Sequence, residues 1–319
     1  MSSEIENRIN PLVYDRVNPR FISEYGYIGP YCKESTLKYL GNNYIDRNSS
    51  VWKHHMNICE KDLVIAGIKR NYIDTEDITD DEYLLYGGLC QGKILEYSLD
   101  SFRSNKDCSG GLFWMYNDSW GEVGWSIIDY YLKRKISYNF VRRANSPIRL
   151  IIRERDKRFF ITIANDASSA LNDMLEFGYA SFTGEKRNIN MINISAEPFS
   201  RVTCEIDSKN NFDITKGCFF AKIKNHLEVT PAIYRELIVK KLKLPNPELS
   251  VVDFNTVGKE TYNLVIKTKY FAHAVHFNLH PDYSLSDEYF DLLPDEERKI
   301  TIKGKNLLEK KIRLMSVLL

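Results

Sequence analysis

The sequence predicts two parts of different fold class, an α/β part up to about residue 145 and an all-β part after it. The first part contains the clearest helical pattern, at about residues 81–104, where Leu95, Leu99 and Phe102 repeat at i, i+4 and i+7. It also contains every tryptophan of the chain, namely Trp52, Trp114, Trp120 and Trp125. After Ser146-Pro147 the sequence changes to short segments of alternating apolar and polar residues, which are typical of half-buried strands.

Two short apolar runs in the first part predict buried parallel strands. Residues 20–26 read Arg-Phe-Ile-Ser-Glu-Tyr-Gly and carry one carboxylate, Glu24, just before a glycine turn. Residues 110–118 end in the same way, in polar and aromatic side chains. Parallel strands that are buried on both faces are apolar throughout, and α/β barrels place their chemistry at the carboxyl ends of the strands. Glu24 is therefore a candidate for a chemical role.

The second part predicts two antiparallel sandwiches of the immunoglobulin-like type. Apolar residues alternate with polar ones at residues 148–152, 202–206, 262–266 and 300–302. Turn residues such as Val257-Gly258-Lys259 separate such segments. Roughly 170 residues are too many for one sandwich of this type and suit two. Residues 244–247, Leu-Pro-Asn-Pro, form the expected linker, so the predicted domains are 1–145, 146–243 and 244–319.

Composition and charge exclude several classes of partner. The 319 residues are 43% hydrophobic and 27% charged, with a net charge of +1 and no long block of one sign, so we expect neither nucleic acid nor a membrane surface as partner. The N-terminus has no signal-peptide pattern. Cysteines occur at positions 32, 59, 90, 108, 204 and 218 without a Cys-x-x-Cys pair. Reduced thiols in a cytoplasmic protein are the expectation.

Several segments together resemble one known family. Residues 20–26 and 111–131 are similar to the last part of the catalytic barrel of family 2 glycoside hydrolases, closest to the β-mannosidase branch. Residues 284–294 resemble a signature of the family's last sandwich, although Glu288 replaces the usual Asn and Asp295, which follows, replaces the usual Gly. The resemblance covers roughly residues 10 to 305 and corresponds to the C-terminal part of a longer enzyme. It implies that residues 1–145 hold the last two strands of a TIM (β/α)8 barrel.

The resemblance also implies a function and assigns residues to it. The family consists of retaining glycosidases, and its β-mannosidases hydrolyse terminal β-mannosides without a cofactor. Its nucleophile is the glutamate that corresponds to Glu24. The strand-end tryptophan that forms the floor of the sugar pocket corresponds to Trp114, and a cis peptide bond to Met115 would follow it. Asn117 and Trp120 would lie at the lip of the pocket.

A further segment matches a loop over the rim of the family's pocket that contains a histidine. It covers residues 51–57, and it adds Trp52 and His55 to the predicted substrate-binding residues. His54 and His55 also permit a metal-site interpretation, but neighbouring side chains seldom converge on one ion. His273, His276 and His280 are better explained as exposed sheet residues, because a strand directs residue 273 away from the other two. No metal is predicted.

The second half of such an active site is missing from the sequence. A retaining glycosidase needs two carboxyl groups about 5 Å apart, and the family takes the second from an Asn-Glu pair. This chain contains no Asn-Glu dipeptide. Two strands also cannot close an eight-stranded barrel, and they leave an apolar face open. We therefore expect an N-terminal glycosidase part or subunit, or self-association, to complete the site.

Two other interpretations of the chain remain open. It could be a non-catalytic carbohydrate-binding or scaffold protein built on the two sandwiches. It could also be a truncated remnant of such an enzyme. A reading frame next to this one that ends near the sixth barrel strand would favour a split enzyme over a remnant.

Overall fold

The structure, a computed structural model, describes residues 3–57, 61–156, 158–206 and 212–318. The chain divides into two compact units. The first comprises Met1–Phe102 and Asp107–Ala144, and the second comprises Arg103–Lys106 and Asn145–Leu319. Each unit is described separately below.

The first unit is mostly helical in the part of the chain that the structure describes. Its α-helices are α1 Ser3–Ile9, α2 Lys33–Leu40, α3 Ser50–His55, α4 Lys61–Asn71, α5 Asp80–Ser104 and α6 Ile136–Ala144, and a 3₁₀ helix covers Pro11–Arg16. Helix α5 confirms the helix predicted at residues 81–104. It begins at a capping box, in which Glu82 N donates to Thr79 Oγ1 (3.2 Å) and Thr79 N donates to Glu82 Oε2 (2.9 Å). Its Leu95 and Leu99 are buried against α6.

Two short parallel strands lie against these helices. They are β1, Ile22–Tyr25, and β2, Gly111–Phe113, paired with Ile22 opposite Gly111 and Tyr25 opposite Phe113. Both predicted strands are therefore confirmed, but the prediction that they are buried throughout is wrong. Tyr25 and Phe113 pack against the cluster of Leu95 and Leu99, whereas Phe21 is 53% exposed and Leu112 is 60% exposed. The cause is that the helices cover one face of this two-stranded sheet.

The second unit begins with a sandwich of seven strands. They are β3 Ile148–Arg155, β4 Arg158–Asn165, β5 Leu171–Ser181, β6 Lys186–Ala196, β7 Ser200–Ile206, β8 Gly217–Ile223 and β9 Ala232–Tyr234. One sheet has the order β3-β4-β7 and the other β6-β5-β8-β9, and all pairs are antiparallel. Leu150, Ile152 and Ile161 of one sheet share a core with Leu175 and Phe219 of the other. The alternation predicted for β3 and β7 reflects these inward positions.

Seven further strands follow a linker and a short 3₁₀ helix, Val239–Lys241. They are β10 Ser250–Gly258, β11 Thr261–Lys267, β12 Ala272–Phe277, β13 Ser284–Leu285, β14 Phe290–Leu292, β15 Glu297–Lys303 and β16 Leu314–Val317, and a 3₁₀ helix covers Glu309–Lys311. They form sheets of order β10-β11-β15-β13 and β14-β12-β16 around one core. Residues 244–247 contain no helix or strand, as expected of a linker. The Pro247 carbonyl accepts a hydrogen bond from Thr268 Oγ1 at 2.8 Å.

The run at residues 284–294 closes the core of this second set of strands. Phe290, Leu292 and Leu293 are each at most 3% exposed, so the segment has a structural role in this core. Asp295, at the position where the family has glycine, adopts a φ of 60°. This left-handed conformation is the one that glycine tolerates best.

The prediction that the histidines of β12 are exposed is wrong. His273 and His276 are 6% and 7% exposed, and the His276 ring stacks on Tyr289 at 5.0 Å. The simple alternation of a strand does not apply here, because Ala274 between them has a φ of 51° and the pairing register shifts at this point. His280 lies beyond the end of β12 and has an exposed side chain, as predicted.

Two chain-wide features concern the cysteines and the helices. The described cysteines, Cys32, Cys90, Cys108, Cys204 and Cys218, are all free, and Cys59 lies outside the described residues. Across the described ranges, no helix combines the length and the apolar character that a membrane span requires.

Candidate active site

Glu24 and Trp114 lie at the same end of the parallel pair. Glu24 is the last residue but one of β1, and Trp114 directly follows the last residue of β2. The Trp114 N–H donates to the carbonyl of Tyr25 at 2.6 Å, so the pairing continues to the end of both strands. Tyr25 faces helix α5, and its neighbour Glu24 therefore faces away from the helices and is exposed. Trp114 is 48% exposed.

The glycine after the strand has a steric role in this arrangement. A methyl group at Gly26 would lie 2.1 Å from the Trp114 carbonyl oxygen. Only glycine therefore allows the chain leaving β1 to pass so close to the chain leaving β2. The peptide bond between Trp114 and Met115 is cis, as the resemblance predicted.

The segment after Trp114 folds back on itself in a closed loop. Met115 N donates to the Trp125 carbonyl (3.2 Å), and Ile128 N donates to the Tyr116 carbonyl (2.9 Å). Asp118 N in turn donates to the carbonyl of Ile128 at 3.3 Å. The backbone of this loop is therefore held by hydrogen bonds within the loop itself, and the exposed aromatic side chains are attached to that backbone.

A buried polar network beneath the exposed side chains stabilises the loop, and no sequence pattern predicts it. Asp118 is 5% exposed, and its Oδ2 accepts hydrogen bonds from the hydroxyl groups of Tyr31 and Ser126. Burial, and then the hydrogen bond to Asp118, raise the pKa of Tyr31 well above its usual value. The phenol therefore stays protonated and keeps the loop fixed to the segment after β1. Tyr31 and Ser126 are ordinary residue types in sequence, and only the fold brings them to Asp118.

Lys135 is the buried cation of this region. Its Nζ donates to the carbonyls of Gly29 (2.7 Å) and Gly124 (3.0 Å). Burial lowers its pKa to about 8, although the charges of Asp118, Glu122 and Asp129 act in the opposite direction. Burial, and then the charge of Asp118, raise the pKa of Glu122. Low solvation therefore disfavours the charged form of both groups.

The structure brings two of the predicted rim residues together. The His55 and Trp120 rings stack with centroids 4.5 Å apart and an interplanar angle of 20°. His55 Nδ1 also contacts the carbonyl oxygen of Gly121, and the His55 carbonyl accepts the N–H of Val123 at 3.1 Å. The end of helix α3 is therefore attached to the loop directly after Trp120.

Two other predicted site residues are placed differently. Trp52 is 4% exposed and packs edge-on against Tyr83 with ring centroids 5.6 Å apart. It belongs to helix α3, which begins at Ser49, whose Oγ accepts the Trp52 N–H at 3.0 Å. Asn117 is exposed on the loop, with its Nδ2 donating to the Asp118 carbonyl at 3.4 Å. Trp52 is therefore a core residue, whereas the side chain of Asn117 is accessible to solvent.

No group of three or more His, Cys, Asp or Glu residues with a metal-binding arrangement occurs in residues 3–57, 61–156, 158–206 and 212–318. His54 and His55 are perpendicular, with ring centroids 5.3 Å apart, and each ring contacts Trp120 instead. What the strand ends do present is one exposed carboxylate and a set of exposed aromatic rings.

Comparison with known proteins agrees with the predicted resemblance. Residues 244–318 match the model of an immunoglobulin-fold domain named for mannosidases. Two curated relatives, the β-mannosidases B of Aspergillus clavatus and Aspergillus oryzae, are 22% and 21% identical to this chain, and each match covers 92% of it. The crystal structure of a β-D-mannosidase from Dictyoglomus thermophilum is 27% identical and superposes on 96% of the chain with a TM-score of 0.88.

The chain is similar to the C-terminal part of β-mannosidases. It spans 37% of the length of the two Aspergillus relatives and 38% of the Dictyoglomus thermophilum chain. An exo-chitosanase from Amycolatopsis orientalis has the same fold over 92% of this chain and 41% of its own, with a TM-score of 0.70 at 14% identity. The β-mannosidase-like character and an immunoglobulin-like domain at residues 244–318 are thus established.

Proposed function

We propose that this chain supplies the nucleophile half of a retaining glycoside hydrolase that acts on terminal β-mannosides. One observation carries the proposal: Glu24 and Trp114 lie at the carboxyl ends of adjacent parallel strands. A retaining glycosidase needs a carboxylate that attacks the anomeric carbon. An indole face suits the apolar C–H groups of a pyranose. Exposed Glu24 and half-exposed Trp114 meet these two needs, and the β-mannosidase relatives supply the substrate class.

In this mechanism the Glu24 carboxylate forms a covalent bond to the anomeric carbon as the bond to the leaving oxygen breaks, and the leaving oxygen takes a proton from a second carboxyl group. In the second step the second group, now a carboxylate, removes a proton from a water molecule whose oxygen bonds to the anomeric carbon. The bond between that carbon and Glu24 breaks, which releases the sugar and restores both carboxyl groups. We propose that this second group lies on polypeptide beyond the present sequence, on the same protein or on a partner subunit. The absence of an Asn-Glu dipeptide and the greater length of the relatives support this.

We further propose that β1 and β2 are the last two strands of a TIM barrel within residues 1–145. The exposure of Phe21 and Leu112 on the face that is not covered by helices supports this, because the inner face of a barrel strand is apolar. Residues 146–243 and 244–319 are proposed as two immunoglobulin-like domains. The two-sheet core of β3–β9 supports the first of them.

Covalent labelling tests the role of Glu24 without requiring an acid catalyst. An activated mannosyl fluoride with a second fluorine at C2 loses its leaving group without protonation, and the fluorine at C2 slows release of the enzyme-bound sugar. The full chain should gain the mass of one glycosyl group on the peptide that contains Glu24. Glu24→Gln should not be labelled, whereas Glu34→Gln, a matched change on exposed helix α2, should be labelled like the unchanged chain.

Hydrolysis assays complete the test. General acid catalysis contributes about 10² to 10⁴-fold, so the chain alone should show slow turnover of a dinitrophenyl β-mannoside and none of a methyl β-mannoside. Labelling of a residue other than Glu24, no labelling at all, or rapid hydrolysis of the methyl glycoside would contradict the proposal. The absence of labelling would favour a non-catalytic carbohydrate-binding or scaffold protein, whereas labelling elsewhere would indicate another nucleophile.

A further inference from the structure

Trp120 is fixed in place by its contacts with the end of helix α3. One face of the indole stacks on His55 at 4.5 Å, and His55 in turn lies against the Tyr39 ring with centroids 4.9 Å apart. The backbone that follows Trp120 contacts His55 at two points, through the Gly121 carbonyl and the Val123 N–H. Trp120 Nε1 donates to Glu122 Oε2 at 3.4 Å. An exposed indole held by this many contacts has a defined orientation before any ligand arrives.

Among the described residues, the rings that contact this indole leave its outer face open. His54 is perpendicular to both rings of the stack, and its centroid lies 5.3 Å from His55 and 5.2 Å from Trp120. If the His54 ring lay on the outer face of Trp120, its distance to the His55 centroid would be nearly twice its distance to the Trp120 centroid. The two distances are nearly equal, so His54 lies beside the stacked pair and not on the outer face. Trp120 is 40% exposed, and its free face is the one opposite His55.

Trp120 lies at the same end of the parallel strands as Glu24 and Trp114. The segment that leaves β1 contacts the loop that leaves β2 at successive points. Gly26 lies at the Trp114 carbonyl, Gly29 N donates to the Gly124 carbonyl at 3.0 Å, and the Tyr31 hydroxyl lies 2.9 Å from the Trp120 carbonyl oxygen. Trp114 comes at the strand end itself, whereas Trp120 lies farther along the loop.

We propose that the open face of Trp120 receives the sugar on the leaving-group side of the scissile bond. Trp114 covers the mannosyl unit that Glu24 attacks, and one indole face matches one pyranose ring, so a second preset indole at the same strand ends implies a second sugar. The substrate class is then a β-mannosyl disaccharide or a longer saccharide. In this arrangement His55 is a positioning residue for Trp120 and does not contact the sugar. The inference rests on the function proposed above.

Indole N–H signals in NMR spectra test this directly. The chain has four tryptophans, and each signal is assigned from a single Trp→Phe variant of the full chain. Methyl β-mannoside should shift the Trp114 signal alone. A β-linked mannobiose should shift the signals of both Trp114 and Trp120, whereas buried Trp52 should respond to neither sugar.

Variants of His55 separate positioning from direct contact. His55→Ala removes the stacked ring and should reduce the response of Trp120 to mannobiose, while the Trp114 response to methyl mannoside stays unchanged. His55→Phe keeps an aromatic ring under the indole and should restore most of the Trp120 response. A rescue of this kind would not occur if His55 bound the sugar through its nitrogens.

Each outcome decides between the two proposals. If Trp114 responds to both sugars and Trp120 to neither, the leaving-group site is wrong and the proposed half-site stands. An equal response of Trp120 to both sugars also overturns the leaving-group assignment. If Trp120 responds to mannobiose while Trp114 does not, the proposed half-site is wrong. If none of the four indole signals shifts with either sugar, both proposals are wrong. If His55→Phe does not restore the Trp120 response, the positioning role of His55 is wrong.

Discussion

Arg235 and Asp291 form a buried ion pair between the two sets of strands in the second unit. Arg235 follows β9 and Asp291 lies in β14, and Nε donates to Oδ2 at 2.8 Å. Asp291 Oδ1 lies 2.6 Å from His273 Nδ1 and accepts the N–H of Ala274 at 3.1 Å. The aspartate of the run at residues 284–294 thus has a physical role, since it connects three segments of this unit.

Removal of the Asp291 carboxylate should destabilise the second unit. Burial by itself would raise the pKa of Asp291, but the charges of Arg235 and His273 outweigh it and hold the pKa well below its usual value. Such a carboxylate stabilises the fold above the unfolded pKa of about 3.9, and this stability is lost as the pH falls through the lower folded pKa. Breaking a buried pair costs about 3 to 5 kcal/mol, so Asp291→Asn should lower the urea midpoint at neutral pH.

Urea unfolding at acidic pH tests whether the charge of Asp291 is the cause of this stability. The free-energy difference between the unchanged chain and Asp291→Asn should shrink below about pH 3.9. Asp253→Asn, on the exposed face of β10, serves as control and should change little. A difference that is independent of pH would mean that packing, and not the charge, holds Asp291 in place.

Gly26→Ala should disrupt the strand pair. The added methyl group would lie 2.1 Å from a backbone oxygen, which has no side-chain flexibility with which to move away. Overpacking costs typically about 1 to 3 kcal/mol, and we expect at least this loss of thermal stability together with a shift of the Trp114 indole signal. Gly258→Ala is the matched control, since its nearest atom would be at 3.7 Å. Equal stability of the two variants would contradict the described approach of residues 26 and 114.

Lys135→Met should change how stability depends on alkaline pH. The folded pKa of Lys135 is about 8, below the usual value of about 10.4, so between these values the unfolded chain binds the additional proton. Stability contributed by this group therefore rises with pH across that window, by up to roughly 1.4 kcal/mol per pH unit. Urea unfolding of the unchanged chain and of Lys135→Met at several pH values should show that the free energy of unfolding of the unchanged chain rises relative to that of the variant across this window. A constant difference would mean that Lys135 titrates normally.

The open face of the strand pair should cause self-association. Phe21, Leu112 and Tyr116 are 53%, 60% and 62% exposed, and apolar surface of this kind favours contact with other chains. Sedimentation velocity should therefore find oligomers of the full chain, and Phe21→Ser with Leu112→Ser should reduce them. Phe199→Ser changes an equally exposed ring in the second unit and should have no such effect. A monodisperse monomer of the unchanged chain would contradict the partial-barrel proposal.

Much of the fold followed from local patterns in the sequence. The 3.6-residue period at residues 81–104 and the alternation at 148–152 each predicted an element that the structure contains. Both elements are buried more completely than a one-sided pattern implies, since Arg149 and Ile151 on the other face of the strand are buried too. Pairing of β1 with β2 and the cis bond after Trp114 came from the resemblance, since four-residue strands carry little periodic signal.

The errors have specific physical causes. The match of residues 51–57 to a rim loop predicts Trp52 at the pocket rim, whereas this segment contains helix α3 and the indole lies in the core. His273 and His276 were expected to be exposed, but the positive φ of Ala274 interrupts the two-residue period. Tyr31 and Lys135 were not assigned any role, because their partners are loop carbonyls and a carboxylate that only tertiary structure brings near.

The pairing of β1 with β2 leaves each strand with one lateral edge whose peptide groups have no strand partner among the described residues. Closing the proposed barrel requires both edges to be paired, and these edges lie on opposite sides of the same two-stranded ribbon. A complementing polypeptide must therefore reach from one edge around to the other. Complementation should consequently require a minimum length of that polypeptide. Peptides that supply a single strand should be ineffective, and only a polypeptide long enough to pair with both edges should restore a closed sheet.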